Sequence, residues 1–167
     1  DVLRSLFPEA ISDEDTHMPA PDLGGGLWYY RVVDVKFTTL RLRAGGALGD
    51  SGSAWSNKLQ VHVYNRALGR LQGYLPPDTY LLGRGWERKS KGGTFRGTSC
   101  MDMLTTVPQD YVSSSKGSVA ETADAACSWM RRVRTEGVGW EALPEPTIPE
   151  LRPNMKNGSD HPWHAAK

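Results

Sequence analysis

The residues best suited to chemistry sit in the segment 84–96, RGWERKSKGGTFR, where Arg84, Arg88, Lys89, Lys91 and Arg96 are interleaved with Trp86 and Phe95. Cations meet phosphates and rings stack on bases, so this is the composition of a phosphate- or single-strand-binding surface. Only Glu87 opposes it, and the same surface would equally meet an acidic protein neighbour such as residues 9–15. Cys100 follows Thr98 and Ser99, and a Cys–His pair there would have to draw on His62. Asp160-His161-Pro162-Trp163-His164 offers two imidazoles. An extended His-x-x-His lacks the i,i+4 geometry of a helical zinc site, and Asp160, His62 or His17 would have to complete it. No metal site and no cofactor is expected.

Two resemblances attach to short motifs. Gly49-Asp50-Ser51-Gly52 is similar to the tetrapeptide around the nucleophile of chymotrypsin-like serine proteases. That resemblance implies a histidine base oriented by a carboxylate, both supplied by a barrel ahead of the serine. Only 50 residues precede Ser51, and His17 is the sole histidine among them, so the segment reads as a turn between strands. Arg31 after Tyr30, then Thr98-Ser99, then Glu136 or Glu141 resembles the Arg, Ser/Thr, Glu order of ADP-ribosyltransferases. The resemblance implies an arginine on dinucleotide phosphates and a glutamate on the ribosyl cation. Here the two glutamates stand too far apart to form a Glu-x-Glu pair.

The elements that must position these residues follow from periodicity. Residues 1–26 carry Asp1, Glu9, Asp13, Glu14, Asp15 and Asp22 against Arg4, with three prolines and Gly24–Gly26. They read as an acidic extended arm whose anchors are Leu3, Leu6, Phe7 and Ile11. Residues 27–43 are rich in β-branched and aromatic residues, and the apolar phase flips beside Asp34, which predicts a strand with a bulge, or two strands meeting there. Residues 44–57 read as a Gly/Ser loop. Lys58–Tyr64 alternates, with Leu59, Val61 and Val63 inward and Lys58, Gln60, His62 and Tyr64 outward, which predicts a strand returned by 66–75. Shorter strands are expected at 79–82, 93–97 and 101–107. A helix is expected over 119–134, opened by a Ser118/Glu121 capping box, striped by Val119, Thr122, Ala123, Ala126, Met130 and Val133, and stopped at Gly137. Residues 141–167 form a proline-rich extended tail, and 27–140 the core domain.

Composition bounds the class. The chain of 167 residues is 38% hydrophobic and 23% charged, enough for one packed domain. Two cysteines, Cys100 and Cys127, are too few for a disulfide framework and are expected as free thiols. No apolar run approaches the ~18–20 residues that cross a bilayer, and no signal peptide opens the chain. The net charge of +1 argues against a protein that coats nucleic acid. It hides a division, because residues 27–116 hold thirteen bases and six acids while the arm is acidic.

The expected architecture is α+β and β-dominated, an antiparallel sheet or sandwich with one packed helix and extended terminal arms. The expected function leans away from catalysis, toward a structural or interaction subunit of a large assembly. Its most concrete form is a viral capsid accessory or protruding surface domain, in a virion or an intracellular assembly. Its partners would be protein subunits that include copies of itself, with nucleic acid second and no membrane. The alternatives are a small toxin-type enzyme domain, ADP-ribosyltransferase-like around Arg31 or a hydrolase around Ser51 or Cys100, and a nucleic-acid-binding module using 84–96.

Overall fold

The structure, a computed structural model, describes residues 5–8, 20–24, 28–98 and 102–139. The anchors Leu3 and Ile11, the acidic run 9–15, Ser99, Cys100, Glu141, the tail 141–167 and the histidines at 17, 161 and 164 lie outside them. The chain divides into two compact units, residues 1–127 and 128–167.

In the first unit the β-branched run folds as strand β1, Val33–Leu42. Helix α1, Ala54–Gln72, follows. Strand β2, Asp78–Ser90, then runs parallel to β1. β2 is the spine of the sheet. Its second half pairs antiparallel with β3, Gly93–Gly97, through a tight turn, and its first half pairs antiparallel with β4, Thr105–Pro108. A two-stranded ribbon of β5, Val112–Ser113, and β6, Gly117–Ser118, leads into α2, Val119–Glu136. The α+β, β-dominated class expected from the sequence holds, with one parallel pairing in an otherwise antiparallel sheet.

Period-two alternation along β2 builds two cores. Leu81 packs with Leu40, Leu42, Leu48, Val61 and Val107, while its neighbours Tyr80 and Leu82 pack with Phe7 and Leu104. Of the expected arm anchors that are described, Phe7 is buried and Leu6 is exposed. The bulge lies two residues beyond the expected place, where the register shifts between Lys36 and Thr39. Phe37, in the bulge, is 86% exposed. Opposite it, a Cβ on Gly83 would stand 2.6 Å from Leu40 Cγ and 2.7 Å from the Gly85 carbonyl, so only glycine lets the strands approach there.

Two expectations fail together. Residues 58–64 and most of 66–75 are not strands but the body of α1, which ends at Gly73 in the left-handed conformation (φ +70). The buried positions Lys58, Val61, His62, Asn65 and Gln72 follow the 3.6-residue period, and Val63, expected inward, is exposed. Four of these five are polar, so a hydropathy pattern does not reveal the stripe. Three of the polar groups, Lys58, Asn65 and Gln72, bond backbone groups. Asn65 Nδ2 donates to the Pro76 carbonyl at 2.7 Å. Gln72 accepts from the Tyr30 amide at 2.9 Å and donates to the Tyr74 carbonyl at 2.9 Å.

Helix α2 extends two residues past its expected end, and a 3₁₀ turn Gly137–Gly139 follows. Ser118 Oγ accepts from the Glu121 amide at 3.3 Å, as a capping residue does. Val119 and Ala123 are buried, and the half-buried Cys127 carries a free thiol. In the second unit, Arg132 pairs with Glu136 one turn away. Among the described residues no helix is long and apolar enough to cross a membrane.

Candidate functional site

Two carboxylate–ammonium pairs lie along β1 and α1, and they differ in kind. The first joins Asp50 to Lys58, which is 1% exposed. Lys58 Nζ donates to Asp50 Oδ1 at 2.7 Å and to the Leu48 carbonyl at 2.9 Å, and it stands 3.6 Å from the centre of the Tyr111 ring. The three ammonium protons therefore have two oxygens and a π face. Asp50 also accepts from Arg43 at 2.6 Å, Ser113 at 2.8 Å and Tyr111 at 3.0 Å. Burial alone raises the Asp50 pKa, but hydrogen bonds from Lys58, Ser113 and Tyr111 and the Lys58 charge outweigh it, leaving a pKa of about 2. No valence is left over for a substrate.

The second pair is Asp34 and Lys36, two residues apart on β1 and so on one face of the strand. Their charged atoms are 2.7 Å apart, with side chains 18% and 19% exposed. Lys36 Nζ donates to Gln60 Oε1 of α1 at 2.5 Å, and Gln60 Nε2 in turn donates to the Tyr64 hydroxyl at 2.5 Å. This relay fixes the ammonium. Asp34 Oδ2, the oxygen paired with Lys36, accepts no hydrogen bond of good alignment, so the ammonium at 2.7 Å is the contact that compensates it.

A groove of about 420 Å³ opens further along β1, and neither Asp34 nor Lys36 is among its walls. Its walls are Phe37–Arg41 on β1, Ser51–Ala54 and Asn57 at the start of α1, and Arg84 on β2. Phe37 follows Lys36 directly, and Asn57 lies one turn before Gln60 on α1. The first turn of α1 has no acidic residue, and Ser53 makes no side-chain cap, so the amides and the dipole of that end face an uncapped space. With Arg41 and Arg84 and no carboxylate in its lining, the groove favours an anion.

The basic hairpin is the β2–β3 turn, and alternation distributes the expected binding residues over both faces. Arg88 stands opposite Phe95, with the guanidinium 5.5 Å from the ring centre. Trp86 lies on the same face and packs against the inner core. Arg96 stands opposite Glu87 and is paired to it at 3.0 Å, and Lys89 stands opposite Thr94. Lys91 is exposed in the turn, and Arg84 stacks on Phe37 at 5.1 Å.

The other sequence candidates part company. Ser51 is exposed in the turn before α1, and the Asp of its motif belongs to the saturated pair. His62 is not an outward group of a strand but a buried one on α1, with no hydrogen bond to either ring nitrogen. Burial lowers its pKa and Arg66 lowers it further, while Asp124 and the Gln109 backbone pull the other way. Arg31 donates to the Tyr80 hydroxyl at 2.6 Å, Thr98 is exposed, and Glu136 is paired with Arg132. Sequence reasoning used Asp34 only as the point where a phase flips, and it assigned no role to Lys36, Gln60 or Tyr64. The signal was present as an acid and a lysine at i,i+2 in a strand, followed by Gln and Tyr at i,i+4.

Among the described residues no three or more His, Cys, Asp or Glu side chains gather to hold a metal ion. Comparison with protein-family models, curated proteins and solved structures finds no match.

Proposed function

We propose that the face of β1 carrying Asp34 and Lys36 is a hydrolytic site for a phosphodiester of a nucleic acid. The observation that supports this reading most is a carboxylate and an ammonium paired at 2.7 Å next to a strand bulge, with the ammonium held by Gln60 and the carboxylate oxygen accepting no aligned hydrogen bond. Bulges are over-represented next to active sites, where they re-aim side chains.

The chemistry follows from the residue types. Mg²⁺ is commonly bound by one or two carboxylates, with substrate phosphate and water completing the shell, so Asp34 suits it as a protein ligand without a dedicated cage. Such a cation polarises the phosphoryl group and lowers the pKa of its bound water. Lys36, fixed by Gln60, sets a positive charge where the phosphoryl oxygens become more negative during attack. The water oxygen bonds to phosphorus, the ester P–O bond breaks, and the departing oxygen takes up a proton. The groove further along β1, with Arg41, Arg84 and the amides of α1, would hold flanking phosphates.

The test uses the purified chain with end-labelled single- and double-stranded DNA and RNA, with Mg²⁺ or Mn²⁺ and with chelator. Cation-dependent cleavage that Asp34→Asn and Lys36→Met each abolish, with unchanged far-UV CD, is the expected result. Absence of cleavage, or cleavage indifferent to both substitutions, overturns the proposal.

A second reading, the assembly subunit, draws on a different feature. β1 is an edge of the sheet among the described strands, and Val35 and Phe37 on it are 66% and 86% exposed. Long apolar edges are pairing sites unless covered. On this reading the chain has no activity of its own and sits in a larger particle, in its most concrete form as a capsid accessory or protruding domain. Light scattering at micromolar concentration that finds only a monomer, with or without residues 1–23, excludes self-assembly.

A further inference from the structure

The saturated pair is not needed for stability alone. Two charges lose most of their hydration, and an apolar pair of similar volume commonly does as well or better. What the pair does is geometric. Its partners come from four places: Arg43 just past the end of β1, the Leu48 carbonyl in the following loop, Lys58 on α1, and Tyr111 and Ser113 beyond β4. The loop is further tied to β1 by backbone bonds from Arg43 to Ala47 and from Gly49 to Arg41. Leu48 and Ser51 of that loop, with Asn57 on α1, are walls of the groove that runs along β1 from Phe37. Lys58 lies two residues before Gln60, which holds Lys36.

From these placements we infer that Asp50, Lys58 and Arg43 are positioning residues. They clamp the 43–53 loop and the start of α1, and so set the shape of the groove and the reach of Gln60 to Lys36. This inference rests on the hydrolytic reading of that face, but its mechanical part stands without it. Arg43 is half exposed, so its removal spares the buried pair and the fold.

The test compares wild type with Arg43→Gln and Tyr111→Phe, and with Lys58→Met where that variant folds. Hydrogen exchange of amides 43–53 is expected to quicken while the amides of β2 keep their protection, since local opening is read residue by residue. In the cleavage assay KM should rise by roughly tenfold in Arg43→Gln with kcat changed far less, because a loosened wall misplaces substrate without removing Asp34 or Lys36. Unchanged exchange at 43–53 refutes the clamp whatever the enzyme does. Loosened exchange with no cleavage by wild type keeps the clamp and refutes the hydrolytic reading. Loosened exchange with unchanged KM keeps the mechanical clamp and refutes its role in substrate placement.

Discussion

Asp50–Lys58 and Asp34–Lys36 bring the same two charged groups together at the same distance, 2.7 Å, within one β–α unit. The Asp50 carboxylate takes hydrogen bonds from four side chains, whereas Asp34 Oδ2 faces the Lys36 ammonium alone, with no aligned hydrogen bond. Charge and distance alone therefore do not describe an ion pair. The number of further donors does. The first pair ties several segments together, and the second leaves its carboxylate with room for another ligand.

The largest effect should come from breaking the saturated pair. Lys58→Ala leaves Asp50 buried with Arg43 as its remaining cation, a loss at or below the about 3–5 kcal/mol that breaking a buried pair costs. Denaturant unfolding would read it as a large fall in midpoint with little change in slope. A variant as stable as wild type would mean that water reaches Asp50 and that the pair is not a buried clamp. The acid side has a defined sign. Asp50 has a folded pKa of about 2, below its ordinary 3.8, so its contribution is present above the ordinary value and is lost as pH falls toward 2.

His62 lies on the same stripe of α1 as Lys58 but has no ion partner at hydrogen-bond distance. Its pKa is lowered, chiefly by burial, so the folded state resists protonation. Stability should be intact above the ordinary histidine range. It should decline as pH falls through that range, because the unfolded chain takes up the proton first, and level off below the folded pKa. That decline begins at higher pH than the one for Asp50. Urea midpoints from pH 7.5 downward should slope in wild type and flatten in His62→Gln. An equal slope in both proteins would place the titrating group elsewhere.

This helix also explains what the sequence concealed. The strand at 93–97 was legible, 79–82 marked the first part of β2, and of 101–107 only the end from Thr105 is strand among the described residues; α2 was legible from its cap and period, although Ala126 and Met130 of its expected stripe are exposed. The stripe of α1 sets Lys58, His62, Asn65 and Gln72 beside the apolar Trp55 and Val61, and its exposed positions include Val63 and Tyr64. Hydropathy therefore blurs inside and outside, and a short alternation outweighs a longer helical period. Asp34 and Lys36 were legible as residues but not as a site. Their meaning comes from Gln60, which a strand over 58–64 would have placed in another sheet position.

A smaller effect is expected for the Asp34–Lys36 pair. Asp34→Asn removes one charge from a half-buried site with fewer donors, so stability should change by about 1 kcal/mol or less. The cleavage assay should instead lose its signal, which makes the ratio of functional to structural effect the opposite of that for Lys58. If Asp34→Asn destabilised the protein as strongly as Lys58→Ala, the two pairs would be of one kind and the contrast between them would fail.

The smallest effect belongs to Ser51, the residue whose motif looks most like an enzyme's. It is exposed in the turn ahead of α1, its carbonyl accepts from the Ala54 amide at 3.2 Å, and Gly52 beside it takes a positive φ of +58. These features belong to the backbone and survive Ser51→Ala. The change in stability should stay within about 0.5 kcal/mol, as for most surface substitutions. His62, the histidine among the described residues, is buried on α1 and makes no hydrogen bond to the hydroxyl. A serine-directed fluorophosphonate should label neither wild type nor Ser51→Ala. Labelling of wild type alone would move the chemistry of this protein to the loop that the Asp50–Lys58 clamp holds, and the saturated pair would then serve the reaction rather than the frame.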